Sequence, residues 1–198
     1  MVSAILHTDA LPSEELFRAD EVETSRLRLR MFRPDDLGAL SRITSDAEVM
    51  RYISYGRPLT REETRDNLGS IVAAFRRRGF GRWALELKET GALVGYCGLS
   101  LGCQEVGVEL AYMLARGAWG RGLALEAGRA CLRYGFERLD LRSIAGLTFH
   151  DNRRSRRVLE RLGMGFVGDA HFYGFDCVHY SLARARWRDD DSFYRVVS

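Results

Sequence analysis

One unbroken run constrains this chain more than any other. EVGVELAYML (Glu105 to Leu114) leads into ARGAWGRG, then LALEAGRACLRYGFER to about Arg138, then SIAGLTFH (Ser143 to His150). The first and last pieces have strand character, and the helix between them opens directly from a glycine turn. A strand, a crossover helix and a second strand in so few residues force a parallel, adjacent pair with a right-handed connection. Along the first strand, Val108, Leu110 and Tyr112 alternate with Glu109, Ala111 and Met113, so the two sets face opposite sides of the sheet.

The rest of the chain arranges itself around that unit. RLRLRMF (Arg26 to Phe32) alternates as a half-buried strand, with Leu27, Leu29 and Met31 inward and Arg26, Arg28 and Arg30 outward. Pro34 opens a helix carrying Leu37, Leu40 and Ile43. TREE (Thr60 to Glu63) has capping-box spacing for a second helix, which ends on Arg76, Arg77 and Arg78. RWALELK and ALVGYCGLSL flank the turn Glu89-Thr90-Gly91. NRRSRRVLERLG is a helix closed by Gly163, and MGFVGDA and FDCVHYSLARARW are the last strands. The expected order is strand, two helices, three strands, helix, strand, helix, two strands. That is a mixed α/β (α+β) single domain over residues 24–188, with an N-terminal tail or arm at 1–23 and a C-terminal tail at 189–198.

The 198 residues suit one domain with a real core. A net charge of +3, with no interleaved aromatics, argues against a nucleic-acid partner. Cys97, Cys103, Cys131 and Cys177 are scattered and form no CxxC pair, so no metal site is expected and buried free thiols are. The opening residues, without a basic start and with only a short apolar run, are not expected to be a secretory leader, and no apolar run in the sequence reaches the ~20 residues that span a bilayer. The expectation is a cytoplasmic protein without a membrane partner.

The glycine turn carries the candidate chemistry. The amides of a helix's first turn lack intrahelical acceptors, and the helix dipole makes that end an anion site. Gly120 and Gly122 let backbone approach a ligand, and Arg121 adds a cation. A Walker loop would need Gly-Lys-Ser/Thr, and a dinucleotide fingerprint would need glycine at Leu125; neither is present. On its own residues the loop stays open between a phosphate cradle and a plain helix-opening turn.

Its surroundings narrow the choice. ELAYML, WGRGLALEAGRACLRYGFERLDLRSI and HDNRRSRRVLERLGMGFVGD, in that order, resemble the GNAT superfamily of acyl-CoA-dependent N-acetyltransferases. The likeness is to the RimJ/RimL-type branch, the ribosomal-protein N-terminal acetyltransferases and their small-molecule relatives. It begins at TSRLRLRMFRPDD and runs through LVGYCGL to the FYGFDCVHYSL hairpin. The resemblance implies a central, mostly antiparallel twisted sheet with a splayed parallel strand pair and flanking helices. Trp119, Gly120, Arg121, Gly122, Leu123 and Ala124 fill the family's pyrophosphate loop, so acetyl-CoA is the implied co-substrate. Leu125 stands where a small hydroxyl residue is common, removing one phosphate contact.

The resemblance implies further roles. The pantetheine arm would pair with the strand before the loop, beside Met113 and Leu114, whose N–H groups are candidates for the thioester oxygen. Asn152 would bind the arm, with Asp151 capping the helix in its place; a plain N-cap is the other reading of Asn152. Ser155 is both a candidate cofactor contact and the candidate acid for the sulfur, against a small residue chosen for packing. Tyr112 and Tyr173 are further possible acids. Glu109, a carboxylate on an internal strand, is the candidate base for the amine, against a partnered structural carboxylate. His150 is another possible base. No nucleophilic Cys–His pair is evident, so transfer would be direct, in a ternary complex. The expected partner is an amine acceptor, small molecule or protein N-terminus, and the family admits a homodimer. The alternative is a non-catalytic acyl-CoA-binding sensor or scaffold.

Overall fold

The computed structural model describes residues 20–53, 56–103 and 105–197. Most of the segment read as an N-terminal tail therefore lies outside the described residues. Nine strands form one sheet: β1 (Glu21–Thr24), β2 (Leu27–Arg30), β3 (Arg82–Leu87), β4 (Leu93–Leu101), β5 (Val108–Leu114), β6 (Ser143–Thr148), β7 (Gly165–Phe172), β8 (Phe175–Ala183) and β9 (Tyr194–Val197). Their spatial order is β7-β8-β6-β5-β4-β3-β2-β1-β9. Every pairing is antiparallel except β5 with β6, the crossover pair the sequence demands.

Among the described residues five α-helices cover the sheet: α1 (Leu37–Thr44), α2 (Ala47–Met50), α3 (Arg61–Arg78), α4 (Leu123–Glu137) and α5 (Arg153–Arg161). The capping box that starts α3 is formed as its spacing requires. The Thr60 side chain accepts from the Glu63 amide at 3.1 Å, and Glu63 accepts from the Thr60 amide at 2.8 Å. Gly79, at φ 76°, takes the left-handed conformation that ends the helix.

Two apolar cores lie on opposite faces of the sheet. One is built under α4 and α5 from residues such as Leu110, Leu114, Leu123, Leu159 and Tyr180. The other, under α1 to α3, includes Ile43, Met50, Ile71, Tyr96 and Met113. The alternation along β5 sorts its side chains between them: Val108, Leu110 and Tyr112 go to the first, Ala111 and Met113 to the second. In the first core Trp83 meets Phe75 and Tyr134 edge-on, at 5.5 and 5.0 Å between ring centroids.

The structure departs from the sequence reading in three places. Glu21–Thr24 and Tyr194–Val197, in or beside the segments set apart as tails, are strands that pair with each other. Residues 47–50 form a short extra helix capped by Asp46. Arg30, expected to face solvent, is only 4% exposed. The turn after β2 folds back over it, and its guanidinium grips Asp36 with two bonds of 2.8 Å and Glu86 with one of 2.7 Å. A buried cation needs that pairing, which the alternation pattern does not reveal. Cys97, Cys131 and Cys177 are buried free thiols, while Cys103 is half-buried.

Candidate active site

The parallel pair does not stay together. β5 and β6 are in register at Glu109 and Ala145 alone, whereas β5 keeps its antiparallel partners on β4 as far as Leu114, opposite Gly95. Beyond Glu109 a seam opens through the sheet, and a cleft of about 1120 Å³ runs along it. In a strand, successive backbone groups point to opposite sides. The Met113 carbonyl points at β4, so close that a Cβ on Gly95 would lie 2.0 Å from it. The Leu114 carbonyl points the other way and accepts the Trp119 indole N–H at 2.8 Å. Of the two amides named from the sequence, Leu114's therefore faces the seam and Met113's does not. This corrects the paired assignment; the Met113 side chain belongs to the opposite face.

At the head of the seam sits the glycine turn. Gly120 and Gly122 have φ of 73° and 77°, a conformation that costs other residues strain. Gly122 caps α4 without any side-chain hydrogen bond, so the first-turn amides keep their donors. A Cβ on Gly120 would meet nothing within 4 Å, so the turn is open on that side. Leu123 and Leu125 are buried in the core, so only their backbone can serve a ligand. A charged staple holds the turn. Glu126 accepts from the Thr24 hydroxyl (2.6 Å), the Arg26 amide (2.8 Å) and the Arg26 guanidinium (2.6 Å), while Arg26 also bonds the Arg121 carbonyl (2.8 Å). The Arg154 guanidinium stacks over Trp119 at 4.7 Å, beside the turn. Glycines forced by backbone angle, free amides and flanking cations fit an anionic pyrophosphate.

Asn152, not Asp151, caps α5: its Oδ1 accepts from the Ser155 amide at 3.2 Å. The expectation that Asp151 would take this task, freeing Asn152, is overturned. An asparagine one residue before the helix reaches the third amide, and Asp151 sits one place too early. The Asn152 Nδ2 donors remain for a ligand in the cleft, which Asn152 lines. Ser155 Oγ lies 2.7 Å from the Tyr112 hydroxyl, which also donates to the Ser155 carbonyl at 3.2 Å. Burial pushes the Tyr112 hydroxyl well above an ordinary phenol, the Ser155 bond only partly opposing it. Tyr112 is thus a fixed O–H donor on the α4/α5 side of the seam.

Glu109 is on the other side. Burial raises its carboxyl above the usual range, against the lowering pull of Ser100, Arg82 and Tyr173. Ser100 Oγ donates to it at 3.3 Å. Tyr173 belongs to the β7–β8 turn, where φ of 56° at Tyr173 and 79° at Gly174 match a two-residue hairpin. That turn brings its hydroxyl to Glu109 and to the Cys103 amide, 3.1 Å away. A raised carboxylate held by neutral hydroxyls suits a proton acceptor. His150 instead meets Asp169 at 3.5 Å, half-exposed, away from this group.

The sequence-named residues thus fall into two groups. The glycine turn, Leu114, Asn152 and Ser155 gather along the cleft with Tyr112, whose role the sequence left between two tyrosines. Glu109 stands across β5 from Ser155, with Tyr173 beside it. No alternation or motif ties residue 173 to residue 109; the hairpin turn that joins them shows only as Tyr-Gly.

A model of the GNAT acetyltransferase domain matches residues 26–165. The chain is 33% identical over 179 residues to the uncharacterized protein YkkB of Bacillus subtilis, covering 88% of this chain and 94% of that one. It is 32% identical over 140 residues to the uncharacterized N-acetyltransferase p20 of Bacillus licheniformis, covering 70% and 79%. Among solved structures, a GNAT-family acetyltransferase from Bacillus anthracis superposes with a TM-score of 0.73 at 27% identity, covering 83% of this chain and 99% of the other.

Proposed function

The chain belongs to the GNAT acetyltransferase family and is an acyltransferase, and we propose that it moves an acetyl group from acetyl-CoA to a primary amine by direct attack in a ternary complex. We place it in the RimJ/RimL-type branch, on the tryptophan at the head of WGRGLA and the motif order along the chain, and in the cytoplasm. Among the described residues no helix is long and apolar enough to cross a membrane.

The observation that carries the reading is the seam beside the glycine turn, where unpaired strand backbone and unpaired helix amides line one cleft. Gly120, Arg121, Gly122, Leu123 and Ala124 would hold the pyrophosphate through backbone, with Trp119 pinning the turn to β5. Leu114 and the Asn152 amide would hold the pantetheine arm. When bound, acetyl-CoA supplies an activated thioester. The Leu114 amide is aimed to steady negative charge on the carbonyl oxygen. Glu109 takes the proton of the amine, directly or through a water. The Tyr112 hydroxyl, oriented by Ser155, gives a proton to the departing sulfur; a thiol of pKa ~8.5 needs only modest help. The acceptor is a small-molecule amine or a protein N-terminus, and a homodimer remains compatible with the family.

Thermal unfolding tests this first. Acetyl-CoA at about a hundred times its dissociation constant should add ~2.7 kcal/mol, a midpoint rise of roughly 5–10 °C, with no rise from NAD. Free thiol released on adding an amine would then establish turnover. A flat midpoint with acetyl-CoA would return the glycine loop to a plain helix-opening turn, and a rise without turnover on any amine would leave a binding protein.

A further inference from the structure

The face of the sheet that carries Glu109 also carries a set of aromatic rings that neither core absorbs. Glu109, Ala145 and Ser181 stand opposite one another across β5, β6 and β8, and so share that face. Steps of two along β8 bring Phe175 onto it, the same steps from Ala145 reach Phe149 just past the end of β6, and Phe172 stands opposite Phe175. Tyr52, from the turn after α2, closes the group. Its ring is 6.0 Å from Phe149, and Phe149 meets Phe175 edge-on at 5.7 Å.

All four rings are half-buried and line the cleft, and none belongs to either apolar core. Half-buried rings elsewhere, such as Trp187 and Tyr194, are packed against the first core. The four rings of the group instead present apolar surface to an open cleft, as a recognition site does. Phe149 lies four residues beyond Ala145, just past the end of β6, as Met113 lies four beyond Glu109 along β5. The wall therefore flanks the wide end of the seam, where the Leu114 amide points, with Glu109 where the seam begins.

We propose that the Tyr52–Phe149–Phe175 wall is an acceptor subsite that selects amines carrying an aromatic group close to the reacting nitrogen. This rests on the acetyl-transfer reading above. Two sources offer that chemistry: a small arylalkylamine, or a peptide whose first residue is aromatic. Both place a flat ring one to three bonds from a primary amine, between the wall and Glu109.

The test is initial-rate acetylation by the full chain with acetyl-CoA, scored by free thiol. The acceptors are 2-phenylethylamine, n-pentylamine, and peptides differing only in an N-terminal Phe or Gly. The aryl member of each pair should be favoured about tenfold or more in kcat/KM. Phe149→Leu keeps an apolar side chain but removes the ring face, and should lower that ratio severalfold; Phe149→Ala should lower it further. Which pair shows the larger ratio tells the small amine from the peptide. Equal rates within both pairs would overturn the inference, as would a ratio unmoved in Phe149→Leu. Binding of acetyl-CoA, read separately by thermal shift, keeps the two failures apart. A chain that binds it and acetylates alkyl and aryl amines alike loses this subsite but keeps its reaction. A chain that does not bind it loses both. If acetyl-CoA binds and no acceptor reacts, titration of 2-phenylethylamine into the coenzyme A-loaded chain decides, and no binding there overturns the subsite.

Discussion

The two faces of β5 are built from different materials. On the α4/α5 side the cleft is made mostly of backbone: amides of the glycine turn and of the start of α4, and strand groups at the seam, joined by the side chains of Asn152, Ser155 and Tyr112. On the α1–α3 side it is made of five side chains drawn from four separate segments: Tyr52, Glu109, Phe149, and Tyr173 with Phe175 from the last hairpin. A backbone site is encoded largely contiguously, because one turn and one helix start make the greater part of it. A side-chain site needs no such contiguity and can change residue by residue on an unchanged frame. The first face thus suits a ligand shared by a family, the second a ligand particular to one member.

The largest expected effect lies on the side-chain face. Glu109→Gln removes the carboxylate proposed as the proton acceptor and should lower kcat by about 10²–10⁴-fold with little change in acetyl-CoA affinity, measured by steady-state kinetics and thermal shift. In the parent, kcat/KM should climb with pH through a carboxyl titration set above the ordinary range by burial, and that limb should vanish in the variant. Stability must move oppositely. A carboxyl whose folded pKa is raised favours folding below its unfolded pKa of ~4.3, and that advantage is lost as pH rises through the folded value. The variant should therefore melt higher than the parent at neutral pH, with the gain gone below about pH 4. A variant that melts lower at neutral pH would mean that Glu109 is a structural partner.

The backbone face should break differently. Gly120→Val puts a branched residue at φ 73° on the open side of the turn. It should raise KM for acetyl-CoA about 10- to 100-fold, the loss of one or two hydrogen bonds to a charged group, and move kcat less. An unchanged KM would remove the turn from the cofactor site. Smaller again is Tyr112→Phe, which keeps the ring and deletes the hydroxyl. We expect roughly a tenfold loss in kcat, and a double variant with Ser155→Ala no worse than the worse single one, since the two act as a unit. Additive losses would separate them. The smallest is Trp119→Phe, which frees the Leu114 carbonyl. The loss of about 1 kcal/mol should show as a severalfold rise in acetyl-CoA KM.

The same division explains what could be read from residues alone. The parallel pair, the capping box at Thr60 and the alternation of β5 were legible because each is a local pattern with one physical cause. The glycine turn was legible as a helix start with uncapped amides, and family resemblance supplied the ligand proposed for it. What escaped was assembled over distance. Glu21–Thr24 and Tyr194–Val197 are four-residue strands that make sense only beside each other. Arg30 is buried because Asp36 and Glu86 wait for it, and a pattern of alternating arginines shows only the exposed option. Asn152 was set aside as a cap because its neighbour could also cap; the backbone at the start of α5 decides between them. The aromatic wall joins residues 52, 149 and 175, whose nearness is a property of the sheet order.

The pairing of β1 with β9 has a consequence in time. Val22, wholly buried, belongs to a strand made among the first of the fold, while its outer partner around Val196 is among the last. At ordinary synthesis rates of about 5–20 residues per second, some ten to thirty seconds separate the two. From the time β2 and β3 join it until β9 arrives, β1 offers a bare hydrogen-bonding edge to any neighbouring nascent chain. Domains like this one therefore have a window of vulnerability whose length is set by the ribosome and not by the stability of the finished sheet.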